Sequence, residues 1–160
     1  MKQKLYIETS IVSYLTAKGS RDLLIAARQE ATSELWSKLL SSEFTTYTSA
    51  LVYQEAQQGD REQARERLEA LAPFPALDID QEAQALAEQV LAAKAVPAEY
   101  PDDALHVAIA AVNGIDILLT WSFAHLNNPI SRMQIRRIVE ASGYQCPEVC
   151  SPEELLEMNP

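Results

Sequence analysis

Two adjacent aspartates stand at the head of a segment that has almost no polar face, and this stretch constrains the fold more than any other. It runs Pro101-Asp-Asp-Ala-Leu-His-Val-Ala-Ile-Ala-Ala-Val-Asn-Gly114 and continues as Ile-Asp-Ile-Leu-Leu-Thr120-Trp-Ser-Phe. Proline suits the first position of a helix, where its missing N–H has no partner to lose. Ala104, Val107, Ala108 and Ala111 recur at helical spacing, and Leu105, Ile109 and Val112 widen the stripe until the helix reads as buried. Gly114 ends it, since glycine takes the left-handed cap conformation without steric cost. Ile115 to Thr120 is a β-rich, nearly all-apolar run, as expected of a central parallel strand covered on both faces. Two readings of Asp102 and Asp103 stay open here. Acids in a first turn offset the helix dipole, worth roughly 0.3–1 kcal/mol each; alternatively, one of them is a metal ligand.

The rest of the chain supplies alternating strands and helices. Lys4 to Ile7 reads as the first strand, followed by Glu8 and a helix from about Ile11 with Thr9 or Ser10 as its cap. Arg21 to Leu40 reads as a long helix with Leu23, Leu24, Ala27, Ala31, Leu35 and Leu39 on its inner face. Phe44 to Thr48 is the second strand, Ser49 the cap of a helix carrying Glu55, and Arg61 to Leu71 a charged amphipathic helix. Ala76 to Ile79 is a short strand, and Asp80 caps a helix from Gln81 to about Ala93. After Thr120 come a polar and aromatic loop, a helix from Ile130 to Ala141, a short strand within Tyr144 to Val149, and a final helix capped by Ser151. This order argues for a parallel sheet with helices on both faces.

At 160 residues the chain has the length of one domain with a sizeable core. No apolar run approaches the roughly 18 residues of a membrane span. Lys2 and Lys4 are basic, but Glu8 interrupts the apolar run immediately, unlike in a signal peptide. Cys146 and Cys150 are too few for a disulfide framework, so reduced thiols in a cytoplasmic protein are expected. The net charge of −10 makes nonspecific polyanion binding unfavourable. Any nucleic-acid role is therefore local, through a metal ion, a basic patch or a partner.

Three acids sit at strand ends or on the helices beside them: Glu8, Glu55 and Asp103. The carboxyl edge of a parallel sheet is where ligands bind. Four segments, Tyr6-Ile-Glu-Thr-Ser-Ile11, Ser49-Ala-Leu-Val-Tyr-Gln-Glu55, Asp103-Ala-Leu-His-Val-Ala-Ile-Ala and Ile117-Leu-Leu-Thr-Trp-Ser122-Phe, occur in the order and spacing of the PIN-domain proteins. The chain resembles this nuclease family, which includes the VapC-type toxins of bacterial toxin–antitoxin pairs.

The resemblance implies a three-layer α/β/α sandwich around a central, mostly parallel sheet of four to five strands, with residues 1–160 forming one domain. It implies that Glu8, Glu55 and Asp103 are the catalytic acids and hold Mg²⁺ or Mn²⁺, hard cations that take oxygen ligands. The implied activity is metal-dependent hydrolysis of RNA phosphodiester bonds, leaving 5′-phosphate and 3′-hydroxyl ends. A cognate antitoxin and a homodimer are the implied partners. Two departures matter. Glu8 stands where the family usually has Asp, and Ser122 where it often has a fourth acid. These favour the alternative of a weak or inert PIN-like module that binds RNA or a protein partner; a third reading is a phosphoesterase acting on a non-nucleic substrate.

Accessory candidates are Thr9, Ser10, Asp102, Ser122 and His125, with Asn127, Asn128 or His125 as substitutes for the missing acid. Asp102 points roughly 100° away from Asp103 around the helix and is preferred as a dipole or cap residue. His106, three residues after Asp103 and on roughly the same face, is either in touch with the site or, as preferred, a hydrogen-bonded histidine in a packed helix. Trp121 and Phe123 are candidates for base stacking or core packing. Arg132, Arg136 and Arg137 form the local basic cluster, either an RNA-phosphate contact or a solvated face.

Overall fold

The computed structural model describes residues 2–158. Its strands are β1 (Lys4–Ile7), β2 (Thr45–Ser49), β3 (Ala76–Leu77), β4 (Ile117–Leu119) and β5 (Glu148–Cys150). Its helices are α1 (Thr9–Thr16), α2 (Leu23–Leu40), α3 (Ala50–Ala56), α4 (Arg61–Leu71), α5 (Gln81–Ala92), α6 (Pro101–Val112), α7 (Pro129–Ala141) and α8 (Pro152–Met158). The strands form one sheet in the order β3-β2-β1-β4-β5, with every neighbouring pair parallel. The architecture is the expected three-layer α/β/α sandwich, with five strands and no antiparallel member among the described residues.

Strand order fixes where a site can lie. From β1 the chain steps outward through β2 to β3, then returns to the other side of β1 for β4 and β5. The sheet reverses direction of growth between β1 and β4, whose register pairs Tyr6 with Leu118 and Ile7 with Leu119. In open parallel sheets the crevice beyond the carboxyl ends of such strands is the natural ligand position. Glu8 leaves β1 there, and Thr120 leaves β4 beside it; the Glu8 N–H donates to the Leu119 carbonyl over 3.1 Å.

The central strands are buried on both faces, as their near-continuous apolar sequence requires: Leu5, Tyr6, Ile7, Leu118 and Leu119 are wholly inaccessible. So are Ala104, His106, Val107, Ala108, Ile109 and Ala110 of α6, which packs along α5. Gly114 closes α6 with φ +67°, the left-handed conformation expected of it.

Two expectations need correction. The inner face of α2 is Thr32, Leu35, Trp36 and Leu39, whereas Leu23 is 87% and Leu24 59% exposed. Periodicity reports which residues share a helix face but not how far the layer beneath extends. The cap of α1 is neither Thr9 nor Ser10. Both lie inside the helix, and Glu8, in extended conformation, accepts the Ser10 N–H. A side-chain oxygen can satisfy a free N–H at a helix start; here the Glu8 carboxylate does so, and the Thr9 hydroxyl donates to Glu55 instead.

Candidate metal centre

Glu8 is only 7% exposed, so its carboxylate needs donors. Oε2 accepts the Ser10 N–H, while Oε1 accepts the Ser10 hydroxyl and, over 2.6 Å, the Thr120 hydroxyl. The Ser10 hydroxyl oxygen in turn accepts the Trp121 N–H. The turn after β1 and the turn after β4 are thus joined through one buried acid.

Glu55 arrives from the other side of β1. Ser49 ends β2 and caps α3, its hydroxyl oxygen accepting the Val52 N–H over 3.1 Å. The short helix then lifts Glu55 to the sheet edge. There Oε1 accepts two hydrogen bonds of 2.6 Å, one from the Thr9 hydroxyl and one from His106 Nε2. Oε2 has no partner among the described residues.

Helix α6 contributes two groups one turn apart. Asp103 Oδ2 accepts from His125 Nδ1 over 2.8 Å, and the His125 ring stacks on Tyr100 with centroids 3.9 Å apart. His106 lies deeper. Its Nδ1 is 2.6 Å from the Tyr6 hydroxyl, which is 2.7 Å from Ser49 Oγ.

Glu8, Glu55 and His106 can each offer a ligand atom with all three atoms within 4.8 Å of one another. Asp103, the third acid expected from sequence, is outside this compact trio but close enough to sense it. Its carboxyl is held above the usual carboxylate range, first by burial and then by the Glu8 charge, against the opposing pull of His125 and His106. Burial also opposes ionisation of Glu55, yet the hydrogen bond and charge of His106, with the Thr9 hydroxyl, bring its pKa below the ordinary value. For His106 burial disfavours the charged ring, but the Glu55 hydrogen bond and the charges of Glu8, Glu55 and Asp103 prevail and raise its pKa. Tyr6 is pushed well above the ordinary phenol value, chiefly by burial, and remains a neutral hydroxyl.

This donor set fits a divalent cation. It is carboxylate-rich, it has an oxygen on Glu55 with no partner among the described residues, and the Glu8 charge that bears on Asp103 is one a cation would offset.

The accessory candidates divide. Thr9 and Ser10 hold Glu55 and Glu8, and His125 holds Asp103. Asp102 is exposed in the first turn of α6, whose start has no side-chain cap. The Ser122 N–H donates to the Thr120 hydroxyl oxygen, and the Ser122 carbonyl accepts the N–H groups of Leu126 and Asn127. Asn127 and Asn128 are spent on the loop: Asn127 accepts from Arg132, and Asn128 caps α7 and donates to the Phe123 carbonyl. Arg136 pairs with Glu140 and Glu148, and Arg137 is exposed. Trp121 packs into the core at 4% exposure while Phe123 keeps 38%, and the Arg28 guanidinium lies over both rings.

Sequence reasoning passed over Tyr6 and Arg28. A phenol within an otherwise aliphatic strand was the signal for Tyr6, because a buried hydroxyl must find a partner. Arg28 gave none, since its aromatic partners lie far away in sequence.

A family model described as the PIN domain matches residues 5–121. Among solved structures, the chain is similar to the crystal structure of VapBC2 from Rickettsia felis bound to a DNA fragment from their promoter. The TM-score is 0.57 at 13% identity, covering 93% of this chain and 98% of that one. At that identity the likeness speaks for the fold alone. No curated protein matches the chain.

Proposed function

The chain belongs to the PIN domain family, whose members are generally nucleases, and from that premise we propose that it is a divalent-metal-dependent ribonuclease hydrolysing RNA phosphodiester bonds. The observation that carries this reading is the meeting of Glu8 and Glu55, 47 positions apart by their numbers, at the sheet's switch point, with an oxygen of Glu55 that has no partner among the described residues.

In this reading Glu8, Glu55 and Asp103 hold Mg²⁺ or Mn²⁺. When bound, such a cation neutralises the scissile phosphate and lowers the pKa of a water. Ser10 and Thr120 fix Glu8, Thr9 fixes Glu55, and His125 fixes Asp103. Water adds to phosphorus, the P–O3′ bond breaks, and the departing 3′ oxygen takes a proton, leaving 5′-phosphate and 3′-hydroxyl ends. Because the chain carries a net charge of −10, affinity for RNA arises locally rather than from a broad basic face.

The test is incubation of purified protein with single-stranded and structured RNA in Mg²⁺ or Mn²⁺. We expect Glu8→Gln and Asp103→Asn to lose at least about 100-fold in cleavage, the scale set by loss of a group that stabilises transition-state charge. Unchanged cleavage in both variants rejects the mechanism. A second reading is favoured by Ser122, which brings no charge to the fourth-acid position: a PIN-like module that binds RNA or protein without cutting. Calorimetry separates the two, because the module shows no Mn²⁺ binding that depends on Glu55.

We further read residues 1–160 as one cytoplasmic domain acting as the toxin of a type II toxin–antitoxin pair, with an antitoxin and a second copy as partners. The fold it shares with a chain of VapBC2 supports the toxin reading. No helix among the described residues is long and apolar enough to cross a membrane. Co-purification with the product of the adjacent reading frame, and sizing of the purified chain, test the two partners.

A further inference from the structure

Helix α3 is tied at both ends into one closed circuit of hydrogen bonds. Ser49, its cap, meets the Tyr6 hydroxyl at 2.7 Å; Tyr6 meets His106 Nδ1 at 2.6 Å; and His106 Nε2 meets Glu55, near the other end of the same helix, at 2.6 Å. The circuit runs from α3 through β1 and α6 back to α3. Tyr6 and His106 are both wholly buried, so neither ring can turn toward solvent for another partner. We propose that His106 is a positioning residue, which pins Oε1 of Glu55 and so leaves Oε2 as the oxygen offered to the cation.

This inference rests on the metal-dependent reading above. Glu55 is the acid that most needs such help. Glu8 is gripped on both oxygens from its own helix and from Thr120, whereas Glu55 is touched on one oxygen only, by Thr9 and His106. Two donors from two different elements converging on one oxygen fix the carboxylate plane. Outer partners that orient a ligand commonly matter about 10- to 100-fold in metal affinity. Donation from Nε2 to Glu55 is open both to the charged ring and to the neutral ring protonated at Nε2. The Tyr6 hydroxyl can accept from, or donate to, the opposite nitrogen accordingly. The spacing Asp103-x-x-His106 makes one helix face serve two acids: the first turn brings Asp103 to the edge, and the next locks Glu55 behind it.

The experiment is Mn²⁺ binding to the full chain by calorimetry, with circular dichroism and thermal melting to report folding. It compares wild type with His106→Leu, His106→Gln and Tyr6→Phe. His106→Leu is expected to weaken Mn²⁺ about 10- to 100-fold. His106→Gln, whose amide can still donate to Glu55, is expected to stay near wild type, and Tyr6→Phe to fall between. Electron spin-echo spectroscopy of the Mn²⁺-loaded wild type should show no directly coordinated imidazole nitrogen. A folded His106→Leu that binds Mn²⁺ like wild type overturns the proposal. So does a nitrogen coupling lost in His106→Gln, which would make His106 a ligand. If His106→Leu does not fold, Tyr6→Phe decides alone: it removes one oxygen, and wild-type affinity in it counts against the circuit. Failure of wild type to bind Mn²⁺ instead overturns the metal-dependent reading, and this inference with it.

Discussion

The Thr120 hydroxyl, just past β4, donates to Oε1 of Glu8, just past β1, over 2.6 Å and 112 positions of sequence. The bond joins the two strands between which the sheet reverses, and it is shielded from water at both ends, since Thr120 is inaccessible and Glu8 nearly so. A hydrogen bond to a buried charge contributes about 1.5–3 kcal/mol. Thr120→Val should therefore lower stability by about 2 kcal/mol in urea unfolding and weaken Mn²⁺ binding, whereas Thr120→Ser, which keeps the hydroxyl, should do neither.

Without metal, stability should depend on pH through His106. Its folded pKa is raised above the ordinary 6.5 by the Glu55 hydrogen bond and neighbouring charges, against burial. A group raised on folding contributes fully below its unfolded value, and that contribution is lost as pH rises through the folded one. The melting temperature in chelator should fall as pH increases above about 6.5, and His106→Gln should lack that slope. A wild-type profile as flat as the variant's would contradict this assignment.

Asp103 has the opposite relation to its own charge. Its pKa is raised by burial and then by Glu8, so the ionised form is disfavoured in the fold. Stability from this group is present at low pH and is lost as pH rises from the ordinary 3.8 through the raised value. Asp103→Asn, permanently neutral, should melt no lower than wild type in chelator near pH 7 and should gain less from added Mn²⁺. Differential scanning fluorimetry with and without the ion reads both effects.

Thr48 is fully buried in β2, and its hydroxyl has no hydrogen-bond partner among the described residues. Such a hydroxyl costs about 1–3 kcal/mol relative to a satisfied one. Thr48→Val keeps the branched shape that suits a strand and removes the orphan, so a gain of about 1 kcal/mol in urea unfolding is expected. A loss of stability would mean that the oxygen has a bound partner, such as a buried water.

The cysteines should be poor nucleophiles in the native protein. Burial is the main cause that pushes Cys146 up to about 11 and Cys150 up to about 12. At pH 8 the thiolate fraction of Cys146 is then about one in a thousand, and that of Cys150 lower still. Alkylation at pH 8 should be slow in buffer and fast in denaturant. Equal rates in the two would refute the assigned burial.

Local signals were strong enough to be read residue by residue where they did not depend on distant neighbours. The bounds of β1 and α4, the caps Ser49, Asp80 and Ser151, and Gly114 as the stop of α6 all follow from backbone chemistry within a few positions. The same holds for the class of fold, because alternating strands and helices with all-apolar central strands leave few arrangements other than a covered parallel sheet. The acids at the sheet edge were legible too, since Glu8 follows a strand and Asp103 opens a helix.

Their exact company was not legible. His106 rather than Asp103 joins Glu8 and Glu55 in the compact trio, Glu8 caps α1, and Asn127 and Asn128 serve a loop. Sequence by itself determined which segments form helix or strand and which acids follow a strand or open a helix, because those depend on periodicity and caps a few residues long. Tertiary structure alone decided who touches whom: strand order and register bring together hydroxyls, imidazole and carboxylates as many as 112 positions apart. A difference of one helical turn in depth, from Asp103 to His106, is enough to change which group meets Glu55.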